Sequence, residues 1–282
     1  SISKVSIAFI SAAFFFKISA APFHIWLPDV YEGAPLPSTI YFAIIPKIAV
    51  FLVIIRLFFV SFSTQPEFWQ FIFCVSAVFS VVIGSLLALK QRKIKRLFAF
   101  SAVSHSGYLL FGLSSCEIEG VHSALLYLIF YVITGLGLWS GVVLISYSNK
   151  FCKVLTLIEF NAISKSNPFL AFSVLLLVFS LAGIPPLMGF FTKFFIIVAA
   201  VQAKLFIPSF IIIVTSVVST YFYIRVVKTL YFEQKKLRAH SKKSCKNAAL
   251  SISIFSSALL VCFVSPEAIW LFSYKMALVL FT

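Results

Sequence analysis

Four ionisable side chains sit deep inside apolar sequence: Lys17 in AAFFFKISAAP, Lys47 in IIPKIAVF, His105 in SAVSHSGYLL and Lys193 in GFFTKFFII. These residue types suit one kind of chemistry. Desolvation makes an amine a weaker base, so a buried lysine can exchange a proton near neutral pH, and an imidazole titrates there already. At a rise of about 1.5 Å per residue, Lys17 lies about 18 Å from Asp29, Lys47 about 16 Å beyond Leu36, His105 about 14 Å beyond Arg96 and Lys193 about 16 Å before Lys204. In a hydrocarbon layer about 30 Å thick, all four fall near the midplane. Snorkelling reaches only a turn or two from an interface, and a lysine at the centre of a bilayer costs a few kcal/mol or more. Singly, each has a bland explanation: a packed neutral amine, half of a structural ion pair, or a core histidine bonded to Ser101, Ser104 or Ser106. Together, at one depth, they read as a proton wire in the plane of the membrane, hydrated between its stations.

The elements that must position them follow from composition. The chain is 61% hydrophobic and 11% charged, about half the charge of a soluble domain. Continuous apolar runs, rather than short alternating ones, exclude a β-barrel. The fold class is an all-α polytopic membrane protein, a single membrane domain over 1–282. Eight spans are read, at 1–28, 37–60, 68–89, 97–113, 121–147, 167–202, 206–232 and 247–272. The sixth is too long for one simple crossing, and Gly183-Ile-Pro-Pro-Leu-Met-Gly189 should break it. Pro22 marks a second break in the first span, and Pro46 a candidate site of interruption in the second. The short loop after the first span carries Asp29 and Glu32, for which a loop-structuring role is at least as plausible as chemistry. Trp26 and Tyr31 are placed as belt residues at an interface, and Gly137-xxx-Gly141 permits close helix contact.

Charge sets the expected topology. Alternate loops at 29–36, 90–96, 148–166 and 233–246 carry 0, 5, 3 and 6 Lys or Arg, whereas the opposite set carries only Lys204. Positive-inside orientation puts loops 90–96, 148–166 and 233–246 on the matrix or cytoplasmic side. The net charge of +15 thus records topology rather than nucleic acid, with cardiolipin or subunit binding by 233–246 as the alternative. Glu117, Glu119 and Glu159 are expected in solvent, Arg56 and Arg225 near span ends, and His24 and His122 near interfaces. The five cysteines (74, 116, 152, 245 and 262) show no metal-ligand spacing, and no nucleotide motif occurs. No cofactor or metal is expected in this chain. Residue 1 is Ser, so the beginning is read as processed or missing.

The stretch Lys17-Ile-Ser-Ala-Ala-Pro22-Phe-His24-Ile-Trp26-Leu-Pro28-Asp29-Val-Tyr31-Glu32-Gly33-Ala-Pro35 resembles the signature of the antiporter-like subunits of respiratory complex I. Pro46-Lys47-Ile-Ala, Ser104-His105-Ser-Gly107-Tyr108 and Ser180-Leu-Ala-Gly183-Ile-Pro-Pro-Leu-Met-Gly189-Phe-Phe-Thr-Lys193-Phe resemble it too, in an order similar to the chain 2 (NuoN-like) branch. The resemblance implies a fold of fourteen helices in two inverted five-helix repeats, of which this chain would carry helices 7–14. Residues 1–60 would end the first repeat, 68–232 would form the second, and 247–282 would be a C-terminal helix and tail. It implies that Lys17, Lys47, His105 and Lys193 are proton-path residues, with quinone reduction elsewhere in the complex driving them. It implies other membrane-arm subunits as partners, and a location in the mitochondrial inner membrane or a bacterial plasma membrane. The first six helices, with the acid that the family pairs with the lysine at position 17, are expected on a separate polypeptide, the alternative being their loss. Rival readings are a structural membrane-arm fragment with a decayed path and a cation/proton antiporter subunit.

Overall fold

A free backbone N–H or C=O finds no partner in hydrocarbon, so long apolar runs close their hydrogen bonds within helices. The computed structural model describes residues 2–148, 156, 157, 164, 167–232 and 246–281, and among them eleven α-helices and no strands occur. They are α1 (Ile2–Ile18), α2 (Trp26–Gly33), α3 (Leu36–Arg56, prolonged by a π-turn at Leu57–Ser61), α4 (Pro66–Leu89), α5 (Ile94–Leu113), α6 (Ile118–Ser148), α7 (Pro168–Ala182), α8 (Met188–Gln202), α9 (Phe206–Tyr231), α10 (Lys246–Val264) and α11 (Glu267–Phe281). Among the described residues, five segments are long and apolar enough to cross a membrane: Leu36–Ser61, Pro66–Leu89, Ile118–Ser146, Phe206–Tyr231 and Lys246–Val264. The basic loop segments at 149–155 and 233–245, with Glu159, Cys152 and Cys245, lie outside the described residues.

Both expected breaks are present, and their backbones match. Ser19 turns left-handed (φ 57°) and the Ala20 N–H reaches back to Phe15 O at 2.9 Å. Gly183 does the same (φ 80°), with the Ile184 N–H on Phe179 O at 3.1 Å. Each helix therefore closes with a Schellman-type cap, whose left-handed residue satisfies the last carbonyls. The first break is stitched to α4 by a 2.8 Å bond from the Ala21 N–H to Ser80 Oγ.

Three expectations are corrected. Pro46 does not interrupt α3, which runs on to Arg56. Asp29 and Glu32 stand on a helix, α2, rather than in a loop. The last span stops at Val264, before Ser265-Pro266, and a further helix, α11, follows in place of a tail. Proline lacks the N–H that would continue the ladder and is well placed at a helix start. Trp270 and Tyr274 stack on each other and present their rings to His122 of α6, at centroid distances of 5.0 and 5.5 Å.

At the centre lies α5, buried from Leu97 to Leu113. It and α4 approach until backbones touch: a Cβ added at Gly84 would lie 2.8 Å from Ser104 N. The Gly137/Gly141 pair works as expected, admitting Leu177 and Val174 of α7 and Ile252 of α10 against α6. The basic run at 90–96 also makes specific contacts. Lys93 pairs with Glu32, Arg96 with Asp29 and Glu32 (Nε–Oε2 2.9 Å), and Lys95 Nζ donates to Ala34 O at 2.6 Å. These bonds clamp α2 to the first turn of α5.

Candidate functional site

Lys47, His105 and Lys193 come together inside the bundle, at 4, 4 and 7% exposure. Lys47 projects from α3 onto α5, where its Nζ donates to Ala102 O at 2.7 Å and contacts Tyr131 Oη at 3.4 Å. The ammonium lies 5.1 Å from the centre of the Tyr131 ring, a cation–π distance. Tyr131 in turn donates to Ala43 O at 3.2 Å.

His105 occupies the middle of α5 with both ring nitrogens taken by phenols. Nδ1 is 2.5 Å from Tyr127 Oη, and Nε2 is 2.8 Å from Tyr223 Oη. The serines of its own helix do not serve it: Ser101, Ser104 and Ser106 donate instead to Phe98 O, Ser101 O and Val103 O, one turn back.

Lys193 rises from α8 and folds back across the break, donating to Leu181 O and Ala182 O at 3.1 and 2.8 Å. It thus caps the negative end of α7. Its Nζ also lies 5.2 Å from the Tyr108 ring. Gly183 makes room, because a Cβ there would meet the lysine chain at 2.9 Å. Among the described residues no carboxylate pairs with Lys47 or Lys193, and both are held by carbonyls, hydroxyls and ring faces.

Two cavities of about 20 Å³ flank His105, each large enough for one water. One lies towards Lys193 and is bordered by Tyr127, Ser180 and Thr192. The other lies towards the Lys47 anchor and is bordered by Tyr31, Ser101, Ala102 and Tyr131. Amine, imidazole, phenol and cavity therefore follow one another from α3 to α8. Every member can donate or accept a hydrogen bond, as proton hopping requires.

Lys17 is the exception among the expected stations. It stands at the end of α1 on the exposed face with Phe16, rather than in the interior. The depth arithmetic fixes height along a helix but not which way the side chain points, and α1 has an outward face. Tyr31 is also corrected: it is fully buried, packed edge-on against Trp139 at 6.0 Å, and is no belt residue.

The tyrosines around His105 carry no mark in the sequence as strong as the buried charges do. Tyr127 and Tyr131 are four apart on α6 and so share a face, and Tyr108 follows His105 by three. Most buried phenols find a hydrogen-bond partner, and that is the signal by which Tyr127 and Tyr131 could be found. Among the described residues no cluster of three or more His, Cys, Asp or Glu could hold a metal.

Residues 2–219 match the family described as NADH:quinone oxidoreductase/Mrp antiporter, TM. NADH-quinone oxidoreductase subunit N of Parvibaculum lavamentivorans is 42% identical over 228 residues, which is 81% of this chain and 47% of that protein. NADH-ubiquinone oxidoreductase chain 2 of Marchantia polymorpha is 38% identical over 276 residues, 98% of this chain and 55% of its own length. The chain thus spans about half the length of the curated relatives it matches. A chain of respiratory complex I from Thermus thermophilus superposes with a TM-score of 0.79 at 25% identity, over 95% of this chain and 58% of the other. A chain of the Mrp complex from Dietzia sp. DQ12-45-1b gives 0.87 at 20% identity, over 98 and 59%, a likeness of fold alone. With its two broken helices and buried lysines, the chain belongs to the NADH:quinone oxidoreductase/Mrp antiporter membrane family, on the side of that family occupied by subunit N and chain 2.

Proposed function

We propose that the chain is a proton-translocating membrane-arm subunit of a complex I type NADH:quinone oxidoreductase. The observation that carries this reading is the buried polar series Lys47–Tyr131, His105–Tyr127 and Lys193 in an otherwise apolar bundle, with a one-water cavity on each side of His105. Nothing in the packing of a helical bundle calls for two buried amines and an imidazole, and each is expensive in a membrane unless it is used. Lys193 connects to one bulk face, His105 and Lys47 form the central relay, and Lys17 couples it to neighbouring structure. Quinone reduction in other subunits supplies the driving force. The names of the relatives at 42 and 38% identity favour this over a cation/proton antiporter subunit, which shares the fold.

The architecture proposed for the membrane is eight crossings, with α1–α2 and α7–α8 each forming one broken crossing. Residues 1–60 complete a first inverted repeat, 68–232 make the second, and 247–282 close the domain. The basic loops 90–96, 148–166 and 233–246 face the matrix of a mitochondrion or the cytoplasm of a bacterium. Other membrane-arm subunits and phospholipid, cardiolipin included, surround the chain. The outward face of α1, with Phe9, Phe16 and Lys17 exposed, packs against helices equivalent to the rest of the relatives' length. A carboxylate there faces Lys17, because an ammonium at that depth requires a counter-ion or water. An experimental map of the assembled complex with only lipid against α1 would overturn that assignment.

The functional test is Lys17→Ala in the assembled complex. Fewer protons per electron and lower coupled activity are expected, with assembly intact. An unchanged proton-to-electron ratio would refute the role of Lys17.

A further inference from the structure

The hydroxyl of Tyr31 is buried without a hydrogen-bond partner, on a residue 0% exposed. Buried hydroxyls are rarely left so, because water or a neighbouring polar group normally completes them. Tyr31 borders the 20 Å³ cavity shared with Ser101, Ala102, His105 and Tyr131. The carbonyl of Ala102 is also the one that holds Lys47. The cavity is polar at several points and has room for a single water. One molecule there can complete the phenol and remain beside the groups that hold the relay.

The residue is placed with care. Its ring is fixed by Trp139, and its helix is clamped to α5 by the ion pairs of Asp29 and Glu32 with Arg96 and Lys93. Glu32 is the next residue in the chain. Tyr31 therefore stands between a charged cluster at one end of α5 and the buried histidine and lysine further along it. It also belongs to the segment immediately after the first helix break.

We infer that the cavity beside Tyr31 is a one-water binding site and that the Tyr31 hydroxyl, with this water, is a further proton-relay group serving Tyr131 and, through it, Lys47. The inference rests on the proton-path reading above and adds to it a side branch that begins at α2. The step is a proton shift only. The water gives a proton to Tyr131 Oη, which hands its own to the neutral Lys47 amine beside it, and regains one from the phenol of Tyr31, which is resupplied from bulk water at the exposed Asp29–Arg96 pair. No bond other than O–H and N–H is made or broken, and the net result is one proton moved.

Tyr31→Phe in the complete complex tests this, since it keeps the ring against Trp139 and removes only the oxygen. A several-fold slower proton uptake with normal assembly is expected, together with loss of a water peak in a high-resolution experimental map. In the unaltered complex that map should show one water within hydrogen-bond distance of Tyr31 Oη, and a dry cavity would overturn the site. His105→Ala is the companion measurement. If it slows pumping while Tyr31→Phe pumps normally, the Tyr31 inference fails and the path stands. If His105→Ala also pumps normally, both fail.

Discussion

Lys193→Met is expected to slow proton transfer by about 10²-fold or more, the low end of what a positioned acid–base group contributes. Methionine is unbranched and fills irregular space well, so it follows the course of the lysine stem past Gly183 with little disturbance. What it loses is the ammonium that joins Leu181 O and Ala182 O to the cavity beside His105. Those carbonyls end a helix, and leaving them short of a donor costs about 1–3 kcal/mol before water in the cavity offsets it. The chain should therefore still assemble. The measurement is the rate and stoichiometry of proton pumping in closed membrane vesicles, with NADH oxidation followed in parallel. Lys193→Arg separates charge from exchange, because a guanidinium keeps its proton at every accessible pH. Arginine should pump as poorly as methionine. A near-normal rate with arginine would mean that Lys193 acts by its charge alone and hands on no proton.

The second large effect is structural. Gly189 lies just beyond the break, where α8 passes across the end of α7, and a Cβ at that position would lie 1.7 Å from Ser180 O and 2.7 Å from Ser180 C. Both atoms are backbone, so no rotamer change relieves the clash, and α8 must move. Overpacking of this kind costs about 1–3 kcal/mol where side chains can yield, and here they cannot. Gly189→Ala is expected to deplete the chain from the assembled complex and to lower the thermal midpoint of what remains. Gly33, where an added Cβ would meet no atom within 4 Å, is the control, and Gly33→Ala should assemble as usual. Equal assembly of the two variants would sink the account of the break as a tight backbone crossing.

Much of the architecture is legible in the sequence because hydrocarbon leaves the backbone few options. Apolar length locates the helices, and the Gly-Ile-Pro-Pro and Ala-Ala-Pro stretches locate both breaks. Pro46 is harder to judge: a proline inside a helix forfeits one bond, and α3 continues around it. α2 escapes a reading by periodicity because its eight residues mix Asp, Glu and Gly with apolar ones, and the ion pairs that hold it come from α5, sixty residues away. His105 is found by depth alone, since α5 buries every direction there, whereas Lys47 and Lys193 are inside because they fall on the inner faces of α3 and α8, whose outer faces expose Ile45 and Phe194. Lys17 defeats the same reasoning because α1 lies at the side of the bundle. Tyr31 misleads because a tyrosine near a span end is as often wet as buried, and only the position of Trp139 decides it. The hydroxyl partners of His105 come from α6 and α9, and no pattern local to α5 could reveal them.

The histidine held between two phenols has a consequence for timing. A neutral imidazole donates through one nitrogen and accepts through the other. When a proton enters at Tyr127 and leaves at Tyr223, or the reverse, each link in the row finishes pointing the opposite way. The row cannot carry a second proton in the same direction until the hydroxyls rotate and the ring exchanges its tautomer. If protons pass through it as proposed, His105 would act as a turnstile that must be rewound after each passage, and a cage packed this closely would make the rewinding a discrete event. Protons would cross it singly, in counted steps, rather than as a continuous current.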